Sequence, residues 1–290
     1  MLRSVPALLL LLWLGSPFVT SIGARAQAAE QVEVVPARIA VNSRDSLRTA
    51  LASLEVLLEQ TRAKGDRKAE ANLLGAIANS YNGLQQQQKA IETFETARVI
   101  WHEMGDSEHE ATTVAHIGDV YRTWGFPEQA NRYYRDALSL YPITDKAGRG
   151  ATLNNLSLTY FSLNNRKKCL ETLNESLEIF RDLRDRRGEA LALANLGAAY
   201  VFLVNDPMKA IDFLQQAVTK LEVLNDLKSE AGAFDEMGMA WHNLGKSEMA
   251  GLSFQRSVEL YQGIGDDHGE ATVRKHMRNL GEQQTEASSR

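Results

Sequence analysis

Cysteine is almost absent from this chain: Cys169 is the only one in 290 residues, so no internal disulfide is possible and stability has to come from packing. Proline is scarce too, at six residues, and composition therefore places few breaks in long helices. A basic excess is lacking, with 32 Lys and Arg against 37 Asp and Glu and a net charge of -5, which argues against nucleic acid as a partner. The motifs of common chemistry are missing as well. There is no Walker-type glycine loop, Gly-x-Ser-x-Gly elbow, His-Glu-x-x-His pair or Cys-x-x-Cys, so no catalytic residue, cofactor or metal site is expected and the chain is not read as an enzyme.

What is present begins with a leader. Arg3, the apolar run Ala7 to Leu14, the break at Gly15-Ser16-Pro17 and the box Ala24-Arg25-Ala26 read as a secretory signal at 1–26,. The apolar run is much shorter than the roughly 20 residues that span a bilayer. Cleavage would leave Gln27 first, with 30 basic and 37 acidic residues and a net charge of -7. The mature chain is then expected to be exported, periplasmic or extracellular, with no membrane span.

The rest of the chain repeats itself. Tyr81, Tyr121, Tyr160, Tyr200 and Trp241 are spaced 40, 39, 40 and 41, and three residues before each stands Ala78, Gly118, Ser157, Gly197 or Gly238. A second small column, Ala90, Ala130, Cys169, Ala210 and Ala250, is followed seven residues later by Ala97, Ala137, Ser176, Ala217 and Ser257. These spacings describe two amphipathic helices per unit, A and B, that touch at small residues. Asp66, Asp106, Asp145, Asp185, Asp226 and Asp266 separate the units as expected N-caps, and Glu70, Glu110, Glu189, Glu230 and Glu270, four residues later, suit the positive end of the helix dipole. Cys169 falls in a small-residue column and is expected to be a buried thiol. The aromatic columns are expected to be core. His102, His109 and His116 are spaced by seven but fall on different parts of two helices, which does not make a set of converging metal ligands.

Leu196-Gly197-x-x-Tyr200 and Ile117-Gly118-x-x-Tyr121, with Ala90-x-x-x-Phe94, Ala130-x-x-x-Tyr134 and Ala250-x-x-x-Phe254, resemble the tetratricopeptide repeat. The unit of about forty residues, closed by Gly-Asp, is similar to the long-repeat branch of kinesin light chains and Pins-type adaptors. The resemblance implies an all-α, right-handed α-solenoid at 43–281: a capping helix at 46–62, five repeats at 67–265 and a capping helix at 267–281. A linker is expected at 27–42 and a frayed tail at 282–290.

In such repeats helix A lines the groove. The resemblance implies that the residue two before the small column meets the backbone of a bound peptide; here that column reads Ala76, His116, Asn155, Asn195 and Glu236. Asn155 and Asn195 match the asparagine of the long-repeat relatives. Off-column positions are apolar in repeats three and four, at Leu158, Phe161, Val201 and Phe202, and elsewhere, apart from Met239, are polar, as at Asp119 and Arg122. Asn155, Asn195, Leu158, Phe161, Val201, Phe202, His116 and Arg122 are therefore the groove candidates. The expected partner is a protein or peptide. Alternatives are a regulatory subunit of a separate enzyme, such as a caspase-like peptidase, or a self-assembling structural element.

Overall fold

A computed structural model describes the backbone of residues 44–288 and side chains as far as Arg278. The expected leader at 1–26 and linker at 27–42 lie outside the described residues. Among those described there are twelve α-helices and no strand: α1 (Arg44–Lys64), α2 (Arg67–Gly83), α3 (Gln87–Glu103), α4 (Ser107–Trp124), α5 (Pro127–Leu140), α6 (Lys146–Ser162), α7 (Arg166–Leu183), α8 (Arg186–Ala199), α9 (Pro207–Leu224), α10 (Leu227–Asn243), α11 (Ser247–Ile264) and α12 (Asp267–Ser288). The fold is an all-α repeat solenoid. Helix α12 runs past the expected end at Gly281, and most of the stretch read as a frayed tail is helical. The helices sort into two compact units, Met1–Pro142 and Ile143–Arg290. The first holds α1 and the hairpins α2/α3 and α4/α5; the second holds α6/α7, α8/α9, α10/α11 and α12.

Each hairpin closes on a glycine or other small residue because nothing larger fits. A Cβ on Gly118 would lie 2.8 Å from Tyr134 Cε1, one on Gly238 2.5 Å from Phe254 Cε1, and one on Gly197 2.4 Å from Leu214 Cγ. Where serine replaces alanine in the facing column, its hydroxyl is satisfied within the hairpin: Ser176 Oγ donates to Gly150 O at 2.8 Å and Ser257 Oγ to Ala231 O at 2.6 Å. Cys169 is buried in the equivalent small column, and burial pushes its thiol up to about 12. The thiol is therefore protonated at neutral pH and inert.

All six boundary aspartates cap the next helix. Their side chains accept from the amides of Ala69, His109, Gly148, Gly188, Ser229 and Gly269 at 2.9–3.3 Å. Ten of the eleven turns between the described helices also contain one left-handed residue: five glycines, Asn164, Asn205, Asn225, Gln85 and Arg184. Such a residue lets a helix end and reverse within a few residues. The exception is the α5–α6 turn, which contains Pro142.

The glutamates that follow the caps do more than face a dipole. Glu70 accepts from Arg62 at 2.9 Å, Glu189 from Arg181 at 3.1 Å and Glu270 from Gln262 at 2.9 Å, each across eight residues. They clasp the end of one helix to the start of the next. Burial raises the Glu70 carboxyl, but hydrogen bonds from Arg62 and Arg67 outweigh it and hold the group below its ordinary range.

The repeat-length variation has a local cause. The separation from boundary aspartate to left-handed residue is 19 positions in Asp66 to Gln85, Asp106 to Gly125, Asp145 to Asn164 and Asp226 to Gly245, but 20 in Asp185 to Asn205. A π-helical turn at Tyr200–Val204, with Asn205 N–H donating to Tyr200 O, absorbs the extra residue. The segment Arg186–Val204 is also long and apolar enough to cross a membrane, contrary to the sequence expectation, but 61% of it is buried inside the fold. Its apolar length serves the core.

Candidate partner-binding surface

In the first unit the polar candidates turn inward. Arg122 is only 3% exposed; its Nε donates to Tyr134 Oη at 3.3 Å, and that hydroxyl donates to Asp119 Oδ1 at 2.6 Å. Burial, then the Asp119 carboxylate, pushes the Tyr134 phenol well above its ordinary range. Arg122 is thus part of a core polar network and not a groove residue, because Tyr134 places a hydroxyl where other repeats bury Phe94, Leu173, Leu214 or Phe254. His116 is half-buried, with its ring stacked on Phe94 at 5.6 Å and Nδ1 3.4 Å from Asp119 Oδ2. The other two histidines of that trio have separate partners: His102 meets Glu110 at 3.1 Å and His109 meets Asp106 at 2.8 Å.

The second unit brings the apolar candidates together. Phe161 at the end of α6 and Phe202 in the π-turn meet edge to face, with ring centroids 6.4 Å apart and planes at 78°. Both rings are half-buried, as is Leu158, so part of this surface is open. Val201 does not join it. At 3% exposure it is core, as is Arg122 at the same register in the second repeat.

Asn195 is a rung between A helices. Asn195 is 9% exposed and its Nδ2 donates to Asn154 Oδ1 at 3.0 Å, while Asn155 is buried at 8%. These amides are engaged within the fold, which corrects their reading as open peptide-binding groups. The same contact recurs between α10 and α12, where His276 Nδ1 lies 2.9 Å from Asp235 Oδ1. Both pairs are 41 residues apart, a separation that could have marked them in the sequence.

The aromatic column is also less buried than expected. Tyr81, Tyr121, Tyr200 and Trp241 are half-buried and Tyr160 is buried; Tyr121 stacks on half-buried Tyr133 at 5.2 Å and Tyr200 on half-buried Phe213 at 5.4 Å. Lysines cover three of the tyrosine rings: Lys89 over Tyr81, Lys168 over Tyr160 and Lys209 over Tyr200, at 5.4–5.6 Å.

Two stacks of helical hairpins with small-residue seams, capped boundaries and a partly open apolar patch on the A helices define an α-helical repeat scaffold. The tetratricopeptide repeat profile matches residues 45–143 and 148–222, and the chain belongs to that family. The hairpin geometry continues beyond the matched residues through α10 and α11. Chromosome segregation in meiosis protein 3 of Yarrowia lipolytica is 35% identical over 81 residues, 27% of this chain; the chain spans about a fifth of that relative's length, 21%. Among solved structures, BtubC (BKLC) from P. vanneervenii superposes with a TM-score of 0.66 at 19% identity, covering 76% of this chain and 92% of that one. A Rap protein complexed with Competence and Sporulation Factor superposes at 0.59 and 17% identity, covering 80% and 70%. At these identities the likeness is one of fold. The chain is a tetratricopeptide-repeat scaffold for protein–protein interaction.

Proposed function

We propose that this chain is an exported scaffold whose second unit captures an extended segment or a helix of a partner protein on its A-helix face. The carrying observation is the Phe161–Phe202 contact, 6.4 Å between centroids and half-open, on a surface where the other A helices present mostly polar groups. Aromatic side chains in such a setting hold a partner's apolar anchor and supply much of the binding energy. The π-turn supports the reading, since such turns inside helices occur frequently at functional sites, and this one costs the repeat its regular length. Export rests on the leader at 1–26 and on the single buried cysteine, which leaves nothing for an oxidising compartment to cross-link.

The test is selection from a phage-displayed random peptide library on the full chain, followed by measurement of the selected peptides on the Phe161→Gln/Phe202→Gln variant. Binding is expected to fall at least about thirtyfold, the effect of losing a hot-spot pair, with far-ultraviolet helicity unchanged. Selected peptides that bind the variant as well as the parent place the site elsewhere. Detection of the chain only in the cytoplasmic fraction, with its first 26 residues intact, removes export from the reading.

A further inference from the structure

On the A-helix face of the second unit, ten residues after each boundary aspartate, stand Asn155, Asn195, Glu236 and His276. Two of them are satisfied by the residue just before this column on the preceding A helix: Asn195 by Asn154, and His276 by Asp235. For Glu236 the corresponding residue is Ala194, which offers no donor. Glu236 is 9% exposed, and its Oε2 is a buried side-chain oxygen without a hydrogen-bond partner among the described residues. Adjacent Asp235 supplies further negative charge, while its own carboxylate is engaged by His276.

A buried carboxyl oxygen left unpaired is costly and calls for a reason. Packing does not supply one, since Asn, an amide, or a methyl at this column would serve a structural rung as well or better. Glu236 is recessed in the A-helix face, with one carboxyl oxygen unpaired and no donor offered by its neighbour in the rung pattern. Helix α10 packs against both α8 and the π-turn. Glu236 shares its register with Asn195 on the neighbouring A helix, and Phe202 lies seven residues beyond Asn195, roughly 10 Å along the axis at 1.5 Å per residue; with packed helix axes about 8–10 Å apart, Glu236 and Phe202 are roughly 14 Å apart.

We propose that Glu236 is the acceptor for a basic side chain of the captured segment, seated on the same face as the Phe161–Phe202 anchor site. The partner then carries, in extended conformation, a Lys or Arg about four residues from an apolar anchor, because roughly 14 Å is four residues of extended chain. Charge complementarity favours such a segment: the whole chain is acidic, at -5, and a long flexible basic side chain can reach a recessed carboxylate. Arrival of the cation also stabilises the ionised form of Glu236, which burial and Asp235 disfavour in the free protein,. This inference rests on the reading of the A-helix face given under Proposed function.

The experiment uses the peptides selected on the full chain. Lys or Arg is expected to be enriched at one position about four residues from an apolar one, and Glu236→Gln is expected to weaken a selected peptide about tenfold or more. Replacing the peptide's Arg by citrulline, or its Lys by norleucine, should produce the same loss, and the two losses should not add. The peptide change leaves the protein's folding untouched. Peptides that depend on Phe161 and Phe202 but lack an enriched basic position, or that bind Glu236→Gln undiminished, overturn this assignment alone. Peptides indifferent to Phe161 and Phe202 overturn the A-helix reading itself, and this assignment with it.

Discussion

His276 Nδ1 sits 2.9 Å from Asp235 Oδ1, joining α12 to α10. The hydrogen bond to Asp235 raises the imidazole above its ordinary value of 6.5, with burial opposing. A histidine raised in the folded state contributes stability that is fully present below about 6.5 and is lost as pH rises through the folded value. The attachment of α12 should therefore weaken as pH rises above about 6.5 and through the folded value,. Hydrogen exchange of α12 amides across pH 6 to 9, corrected for intrinsic rates, is expected to show falling protection, and His276→Gln should flatten the trend. An unchanged slope in that variant would detach the effect from this pair.

Gly197 faces Leu214 so closely that a Cβ alone would lie 2.4 Å from Cγ. Gly197→Leu forces α8 and α9 apart, and overpacking of this kind typically costs about 1–3 kcal/mol. Denaturant unfolding should show at least that loss, and Gly197→Ala a smaller one in the same direction. A Gly197→Leu protein as stable as the parent would mean that the α8–α9 seam is looser than the structure describes.

Arg184 ends α7 with φ of 54°, where Gly65, Gly105 and Gly265 stand at three other boundaries between units. A left-handed L-residue costs about 1–2 kcal/mol, partly offset by the greater unfolded-state entropy of glycine. Arg184→Gly is expected to stabilise by up to about 1 kcal/mol, read from the denaturation midpoint at constant m-value. A loss instead would show that the Arg184 side chain contributes more than its backbone costs.

The repeat was legible because its markers are steric. Gly118, Gly197 and Gly238 recur where an added Cβ would strike Tyr134, Leu214 and Phe254, and the aspartates recur because each helix start leaves free amides. The candidate surface was harder to read because it depends on which side of a helix a polar residue finds a partner. Arg122 looked like a groove residue until Tyr134, twelve positions on and in another helix, proved to hold it. Asn195 looked open until Asn154 met it across 41 positions. Phe202 and Val201 are adjacent and equally apolar, yet one meets Phe161 and the other is core. The π-turn did leave a trace, the single interval of 41 between Tyr200 and Trp241.

Glu236 supplies the last prediction. Burial, and then the charge of Asp235, pushes its carboxyl well above the ordinary value of 4.5. The native state therefore binds a proton more tightly than the unfolded chain, and between 4.5 and the folded value unfolding releases it. Stability contributed by this group is full below about 4.5 and falls as pH rises through the folded value. Glu236→Gln carries no such proton, so the parent should lose stability relative to the variant with rising pH, and the variant should be the more stable of the two at neutral pH. Parallel urea denaturations from pH 4 to 8 measure the difference directly. If the two stabilities run parallel, the carboxyl is not strained by its burial and the free energy held in reserve for an incoming cation is absent. If they diverge, adding a basic peptide selected on the full chain should narrow the gap, because the peptide binds the protein that carries the carboxylate more tightly and so stabilises it more than the variant.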